Sequence, residues 1–244
     1  MNNPTWCDCF EQDGGPDWKE MTFHPETQDT TCDGWKHLLD LVEQAAADKR
    51  ELFAPMRELT AEERSQIVTL PPTIAKLTAV KHLLLYHSPL IRIPPEIGAM
   101  TQLEEFTPYT SYRLHWFPYE ITRCPQLQRS SVSTRALYGN YKYRPPFPKL
   151  SPGGVSLQGL DRDHLPPGTW GSASIRTCSV CDRSLEGAVL RQVWISLRVA
   201  GDVLPLLVNA CSEACIQSLP RPPDGYISGP HTGGLSVKQP PADY

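Results

Sequence analysis

Leu70-Pro71-Pro72-Thr73-Ile74, Ile93-Pro94-Pro95-Glu96-Ile97 and Phe117-Pro118-Tyr119-Glu120-Ile121 share one template: an apolar residue, then Pro, then Ile, at spacings of 23 and 24 residues. The rows that follow align as well, Leu77 with Met100 and Cys124, then Val80 with Leu103 and Leu127. In the first unit the series runs on through Leu83, Leu85, Ser88 and Leu90. Self-similarity at this period is the mark of stacked coils, because a single coil cannot bury its own apolar edge and must share a core with its neighbours. The pattern predicts about three coils, with short strands near His82 to Tyr86, Glu105 to Tyr109 and Arg129 to Ser133. The match decays along the chain, since Pro108 takes a strand Leu position and Ser130 a core position, as expected near the end of an array. Cys124, aligned with Leu77 and Met100, reads as a core thiol.

Upstream of the repeats, Trp35, Leu38, Leu39, Val42, Ala45 and Ala46 recur at three- and four-residue steps and predict an amphipathic helix from Asp33 to Arg50. Thr60-Ala61-Glu62-Glu63 is a capping-box sequence that opens a second, short helix. The first thirty residues carry few aliphatics and read as an irregular arm, with Trp6, Phe10 and Trp18 as anchors. Downstream, Pro145-Pro146-Phe147-Pro148 forces extended backbone that closes the array. Val193, Ile195, Leu197 and Val199 alternate, a turn falls at Gly201-Asp202, and Val203 to Val208 returns, which predicts a hairpin interrupted at Pro205. The expected division is an irregular arm over 1–32, a helical cap over 33–69, repeats and closing segment over 70–150, a linker over 151–174, a four-cysteine module over 175–220, and a Pro/Gly-rich tail, extended or mobile, over 221–244.

With 244 residues the chain is long enough to bury a substantial core in one or two domains. Its net charge of -4 conceals an asymmetry: residues 1–66 sum to -9 and the remainder to +5. Between Arg113 and Lys149, seven basic side chains face Glu120 as the sole acidic one, which suggests a surface balanced by the acidic N-terminal part folding nearby. No apolar run approaches the roughly 20 residues of a spanning helix, and the first residues lack a basic start and apolar stretch, so no membrane and a cytoplasmic setting are expected. In that compartment the eight Cys would be reduced, and clustered Cys point to metal before disulfide.

Cys178-Ser179-Val180-Cys181 precedes the predicted hairpin, and Cys211 and Cys215 follow it, giving C-x2-C, 29 residues, C-x3-C. Four thiolates gathered by one hairpin suit a tetrahedral, structural Zn2+ site, the second pair lying at a helix start where free amides favour thiolate. Four Cys leave no open position for water or substrate, so a catalytic zinc is not expected. Cys7, Cys9 and Cys32, with His24 between them, are a second, much less diagnostic ligand set. His82, His87 and His115 lie in or beside the repeat strands without a nucleophile at an interpretable spacing, and no glycine-rich phosphate loop occurs. No catalytic residue is therefore assigned.

The unit L-P-x-x-I-x-x-L-x-x-L-x-x-L-x-L from Leu70 to Leu85 resembles the bacterial and plant-type leucine-rich repeat family, over residues of about 60 to 150. The resemblance implies an α+β chain: a short leucine-rich repeat solenoid with an N-terminal helical cap, then a small zinc-stabilised hairpin/helix subdomain similar to zinc-ribbon or treble-clef modules. It also implies a protein partner bound on the strand face at His82, Leu84, Tyr86 and His87, then Glu105, Thr107 and Tyr109, then Arg129 and Ser131. A basic aromatic strip adjoins this face at Arg113, His115 and Trp116, flanked by Tyr112, Tyr138, Tyr141 and Tyr143. The first expectation is a non-enzymatic protein-binding module, a regulator or an antitoxin-like neutraliser. Two alternatives stand beside it. One is a nucleic-acid-binding zinc protein, which the acidic pI of about 6.0 argues against. The other is a ubiquitin-ligase-like enzyme, which the single four-cysteine set argues against.

Overall fold

The computed structural model describes residues 5–9 and 18–241; Phe10, an expected anchor, lies outside them. In chain order the elements are α1 (Asp33–Ala47), β1 (Leu52–Phe53), α2 (Pro55–Glu58), α3 (Ala61–Ser65), β2 (His82–Leu84), β3 (Glu105–Thr107), β4 (Phe117–Pro118), β5 (Arg129–Ser130), β6 (Val155–Ser156), α4 (Pro167–Trp170), β7 (Val189–Val199), β8 (Asp202–Ala210) and α5 (Glu213–Gln217). On α1, Trp35, Leu38, Leu41, Val42 and Ala45 form the buried stripe. At α3 both halves of the Thr60/Glu63 capping box are made, so two otherwise unpaired amides of the first turn are satisfied.

The first sheet runs β1-β2-β3-β5, all parallel, and aligns His82 with Glu105 and Glu105 with Arg129. Behind it, 3-10 turns at Pro72–Lys76, Pro95–Ala99 and Tyr119–Arg123 lie against one another in sequence order. They approach closely: a Cβ added at Gly98 would stand 2.7 Å from the Glu120 carbonyl oxygen. A hydroxyl ladder ties the chain beyond the strands. The Ser111 hydroxyl accepts from the Ser88 amide at 3.1 Å, shares a 2.7 Å bond with the Ser88 hydroxyl and lies 3.1 Å from the Leu85 carbonyl, while the Ser133 hydroxyl accepts from the Thr110 amide at 2.7 Å. Buried backbone groups beside such short strands need these partners, because the sheet ladder ends within three residues.

The second sheet runs β4-β8-β7-β6. β7 and β8 are the long antiparallel hairpin, and β4, which belongs to the third repeated segment, pairs parallel to β8 with Phe117 opposite Leu206 and Pro118 opposite Leu207. One apolar core runs through both sheets, taking Leu70, Ile74, Leu83, Ile97, Phe106, Phe117 and Ile121 from one side and Ile195, Leu206 and Val208 from the other.

This topology overturns the expected α+β plan of a short leucine-rich repeat solenoid with an N-terminal helical cap, followed by a small zinc-stabilised hairpin/helix subdomain. The molecule is mixed α/β, with two small sheets and few helices. The physical reason lies in the third segment: Arg129–Ser130 stays in the first sheet, but Phe117–Pro118, whose counterparts in the first two segments form no strand, pairs with β8, so a second sheet is built directly onto the repeated segments. The hairpin is likewise not a subdomain short of core, because its inner face is buried against the repeated segments.

The arm and the C-terminal segment are docked in separate ways. Gln28 bonds the Gln66 carbonyl and the Val68 amide, and the buried Arg92 guanidinium donates to the carbonyls of His24 and Glu26 at 2.9 and 2.8 Å. Phe23 packs on Trp116 and Trp194. The tail, expected to be extended or mobile, bridges β7 through His231, whose amide and carbonyl exchange bonds with those of Trp194. Replacing Ser111 with Ala removes the acceptor of a buried amide, so the Ser111→Ala variant should lose about 2 kcal/mol in urea unfolding. An unchanged midpoint would show that the ladder contributes nothing.

Candidate functional site

Local backbone geometry presents the Cys178 and Cys181 sulfurs. Thr177 pairs antiparallel with Ser184, the Cys178 amide donates to Arg183 O at 2.9 Å, and the Asp182 amide donates to Cys178 O at 3.0 Å. Asp182 takes the left-handed conformation, φ +61°, that closes this turn. The second pair comes from the end of β8, where Ser212 caps α5 by accepting from the Cys215 amide at 3.2 Å. The hairpin brings the halves together. Cys211 Sγ lies 3.6 Å from both Cys181 Sγ and Cys215 Sγ, and the Cys211 amide donates to Cys178 Sγ at 3.4 Å. All four sulfurs lie within 4.8 Å of one another, so the set could hold a metal ion.

Electrostatics in this cluster are uneven. A backbone amide bond from Arg183 and the surrounding thiols lower the exposed Cys181 to about 7, while burial raises Cys178, and burial with the neighbouring thiols raises Cys211 to about 12. Four sulfurs in contact cannot all ionise without a cation among them. The turn is anchored to the core by Ser179, which exchanges bonds with Asn209, and by Arg123, which donates to Ser179 O at 2.6 Å and pairs with Asp182 at 2.7 Å. Beside it Glu120 is buried, and desolvation lifts its carboxyl above the ordinary range.

A second cluster joins Cys7, Cys9, His24 and His115, whose ligating atoms also lie within 4.8 Å of one another, so it too could hold a metal ion. Cys7 Sγ is 3.3 Å from His115 Nε2, Cys9 Sγ is 3.6 Å from His24 Nε2, and the two Nε2 atoms are 3.2 Å apart. The Cys9 thiol and then His115 favour the thiolate at Cys7, and in turn Cys7 raises Cys9. Burial lowers His115. The expected fourth member, Cys32, is elsewhere: it precedes α1, and its thiol donates to Asp29 O at 3.1 Å. His115 replaces it. Sequence spacing could not find this, because His115 lies 91 residues from His24 and reaches the cluster only through tertiary packing.

On the strand face, Glu105 lies 3.7 Å from His82 and 3.0 Å from Arg129, and His82 Nε2 lies 3.0 Å from the Thr107 hydroxyl. The rings of Tyr86 and Tyr109 are 6.3 Å apart and stand 53% and 48% exposed. His87, with φ +56°, and Ser131 are exposed too. Three expected contact residues are instead buried: Leu84 at 8%, His115 at 0% and Trp116 at 6% exposure. Arg113 is spent on an ion pair with Glu26 of the arm. The basic aromatic strip is therefore largely interior: its members cover the arm and the Trp194 cluster, and of its aromatics Tyr141 and Tyr143 are the exposed ones.

Glu120 yields a pH test with a definite sign. Its folded pKa is raised, so its contribution favours the fold below the ordinary carboxylate range and is lost as pH rises through the raised value. The isosteric Glu120→Gln variant should therefore be about 1 kcal/mol more stable than wild type at pH 7, with the gap vanishing near pH 4. Equal stability at both pH values would show that the buried carboxylate carries no penalty. Comparison with known protein families finds no family model that matches this chain, and no curated protein matches it.

Proposed function

We propose that this protein is a non-enzymatic binding module that engages a protein partner through the exposed face of its first sheet and holds a structural Zn2+ on Cys178, Cys181, Cys211 and Cys215. The exposed Tyr86–Tyr109 pair carries the reading. Two neighbouring aromatic rings left half in solvent, in the turns that follow β2 and β3 of the parallel sheet, are the kind of amphipathic anchor that interface cores favour, and Tyr supplies area at little cost in side-chain entropy. Beside them the His82, Glu105 and Arg129 column is internally neutralised, so it sets register and orientation more than it repels. His82, half-buried in this column, meets the Thr107 hydroxyl and the Glu105 carboxylate through one and the same nitrogen, Nε2, so the carboxylate does not back the imidazole as an acid–base dyad requires, which favours contact over catalysis.

Zinc suits the four-cysteine set by its donor chemistry. An all-thiolate tetrahedron with Zn–S bonds of about 2.3 Å has edges of about 3.8 Å, close to the 3.6 Å separations among these sulfurs. The ion would order the turn at Cys178 and the start of α5, while the hairpin keeps its own core. A reducing, cytosolic compartment suits eight free thiols.

In pull-downs from the native cell, Tyr86→Ala combined with Tyr109→Ala should lose a partner that wild type retains, with binding at least about 30-fold weaker in titration. An identical set of captured proteins would sink the chosen face. Separately, Cys181→Ser with Cys211→Ser should lose one equivalent of zinc and melt at lower temperature while still unfolding cooperatively. An unaltered zinc content would remove the four-cysteine set as a site.

A further inference from the structure

We infer that Cys7, Cys9, His24 and His115 form a second Zn2+ site, independent of the four-cysteine set, and that its ion fastens the beginning of the chain to the body of the molecule. The distances carry the first half. A tetrahedral zinc with bonds of about 2.05 Å to nitrogen and 2.3 Å to sulfur has an N···N edge of about 3.3 Å and S···N edges of about 3.5 Å. The cluster shows 3.2 Å between the nitrogens and 3.3 and 3.6 Å from sulfur to nitrogen.

The supporting hydrogen bonds point the same way. His115 Nδ1 stands 2.6 Å from the Ala136 carbonyl oxygen, which can only accept, so Nδ1 carries the proton and Nε2 keeps its lone pair. His24 Nδ1 faces the Glu26 carboxylate at 3.5 Å, which leaves its Nε2 lone pair free in the same way. Carbonyl or carboxylate behind the far ring nitrogen is the usual outer support of a metal-bound imidazole. Two lone pairs aimed at each other across 3.2 Å repel, and a cation at the centre of the four atoms relieves that repulsion.

Charge separates the two sites. Two thiolates and two neutral imidazoles cancel the charge of Zn2+, giving a neutral centre that suits the fully buried His115. Four thiolates leave a charge of -2, and that set includes the exposed Cys181 at the surface. The sites share no residue and no element.

The second half follows from how each ligand is held. His24 belongs to the docked segment, whose His24 and Glu26 carbonyls accept from Arg92 and whose Gln28 side chain bonds backbone groups of Gln66 and Val68, and His115 is fixed by Ala136. The body therefore presents a preformed pair of imidazoles. Cys7 and Cys9 complete the shell, displacing their two protons on binding, and bring residues 5–9 to the surface where Trp6 meets Tyr112 at 5.1 Å.

Full-length protein produced with excess zinc should contain two equivalents, and X-ray absorption should report an average shell of three sulfurs and one nitrogen. Cys7→Ser with Cys9→Ser should leave one equivalent in an all-sulfur shell; Cys181→Ser with Cys211→Ser should leave one equivalent in a mixed shell. A wild-type content of one equivalent with an all-sulfur shell overturns the proposal and spares the four-cysteine site, whereas one equivalent with a mixed shell does the reverse. Iodoacetamide mapping of the wild type needs no variant to fold. Cys7 and Cys9 should be alkylated at least tenfold more slowly in the zinc-loaded protein than after chelation, with Cys32 as the internal control. Equal rates with and without metal would overturn the fastening role.

Discussion

The parallel seam of Phe117–Pro118 on Leu206–Leu207 is the constraint on which the rest of the molecule depends. Neither sheet could bury its inner face alone: strands of two or three residues make a narrow surface, and a hairpin exposes whichever side nothing covers. Joining them at β4 turns two marginal surfaces into one continuous core. Burial of Phe106, Phe117, Ile195, Leu206 and the surrounding aliphatics then supplies the main stabilising term, and the short strands need only keep register.

Polar groups meet that core under strict terms. The Ser111 and Ser133 hydroxyls satisfy the backbone amides of Ser88 and Thr110 where the short ladders stop, and Trp194 directs its Nε1–H to the Pro148 carbonyl at 2.8 Å. Glu120 is held less well, a buried carboxylate whose Oε2 lacks a partner among the described residues and which burial holds toward its neutral form. It sits where the third repeated segment meets the cysteine turn, so the same segment contributes a strand to the seam, a carboxyl to the interior and Arg123 to the turn that presents Cys178 and Cys181.

Both metal-competent clusters join a segment with little regular structure to the body of the molecule. One gathers a turn and a five-residue helix; the other gathers the arm and the chain after β3. Segments with little apolar burial gain most from ligand bonds that act only when the fold is present. The exposed tyrosines, by contrast, stand in the turns that directly follow β2 and β3, where the His87 amide donates to the Tyr109 carbonyl and keeps the two turns side by side.

The amphipathic helix at α1, the Thr60/Glu63 capping box, the β7–β8 hairpin, though buried on both faces and unbroken at Pro205, and the convergence of C-x2-C with C-x3-C were legible from residue order, because each follows from contacts within a few positions or across one hairpin. The architecture was not, and the leucine-rich repeat solenoid read from the period is replaced by a mixed α/β fold. A period records which residues turn inward in each unit, but it carries no information about what covers the last unit. For the same reason His115 and Trp116 looked like surface residues, and Cys32 looked like a ligand, until the arm and the hairpin were in place. Residue order alone determined the local elements, their apolar faces and one four-cysteine set. Only the tertiary structure decided which faces meet and which distant histidine completes the second cluster, because side-chain pairing between segments some ninety residues apart depends on the path of the whole backbone and leaves no local pattern to read.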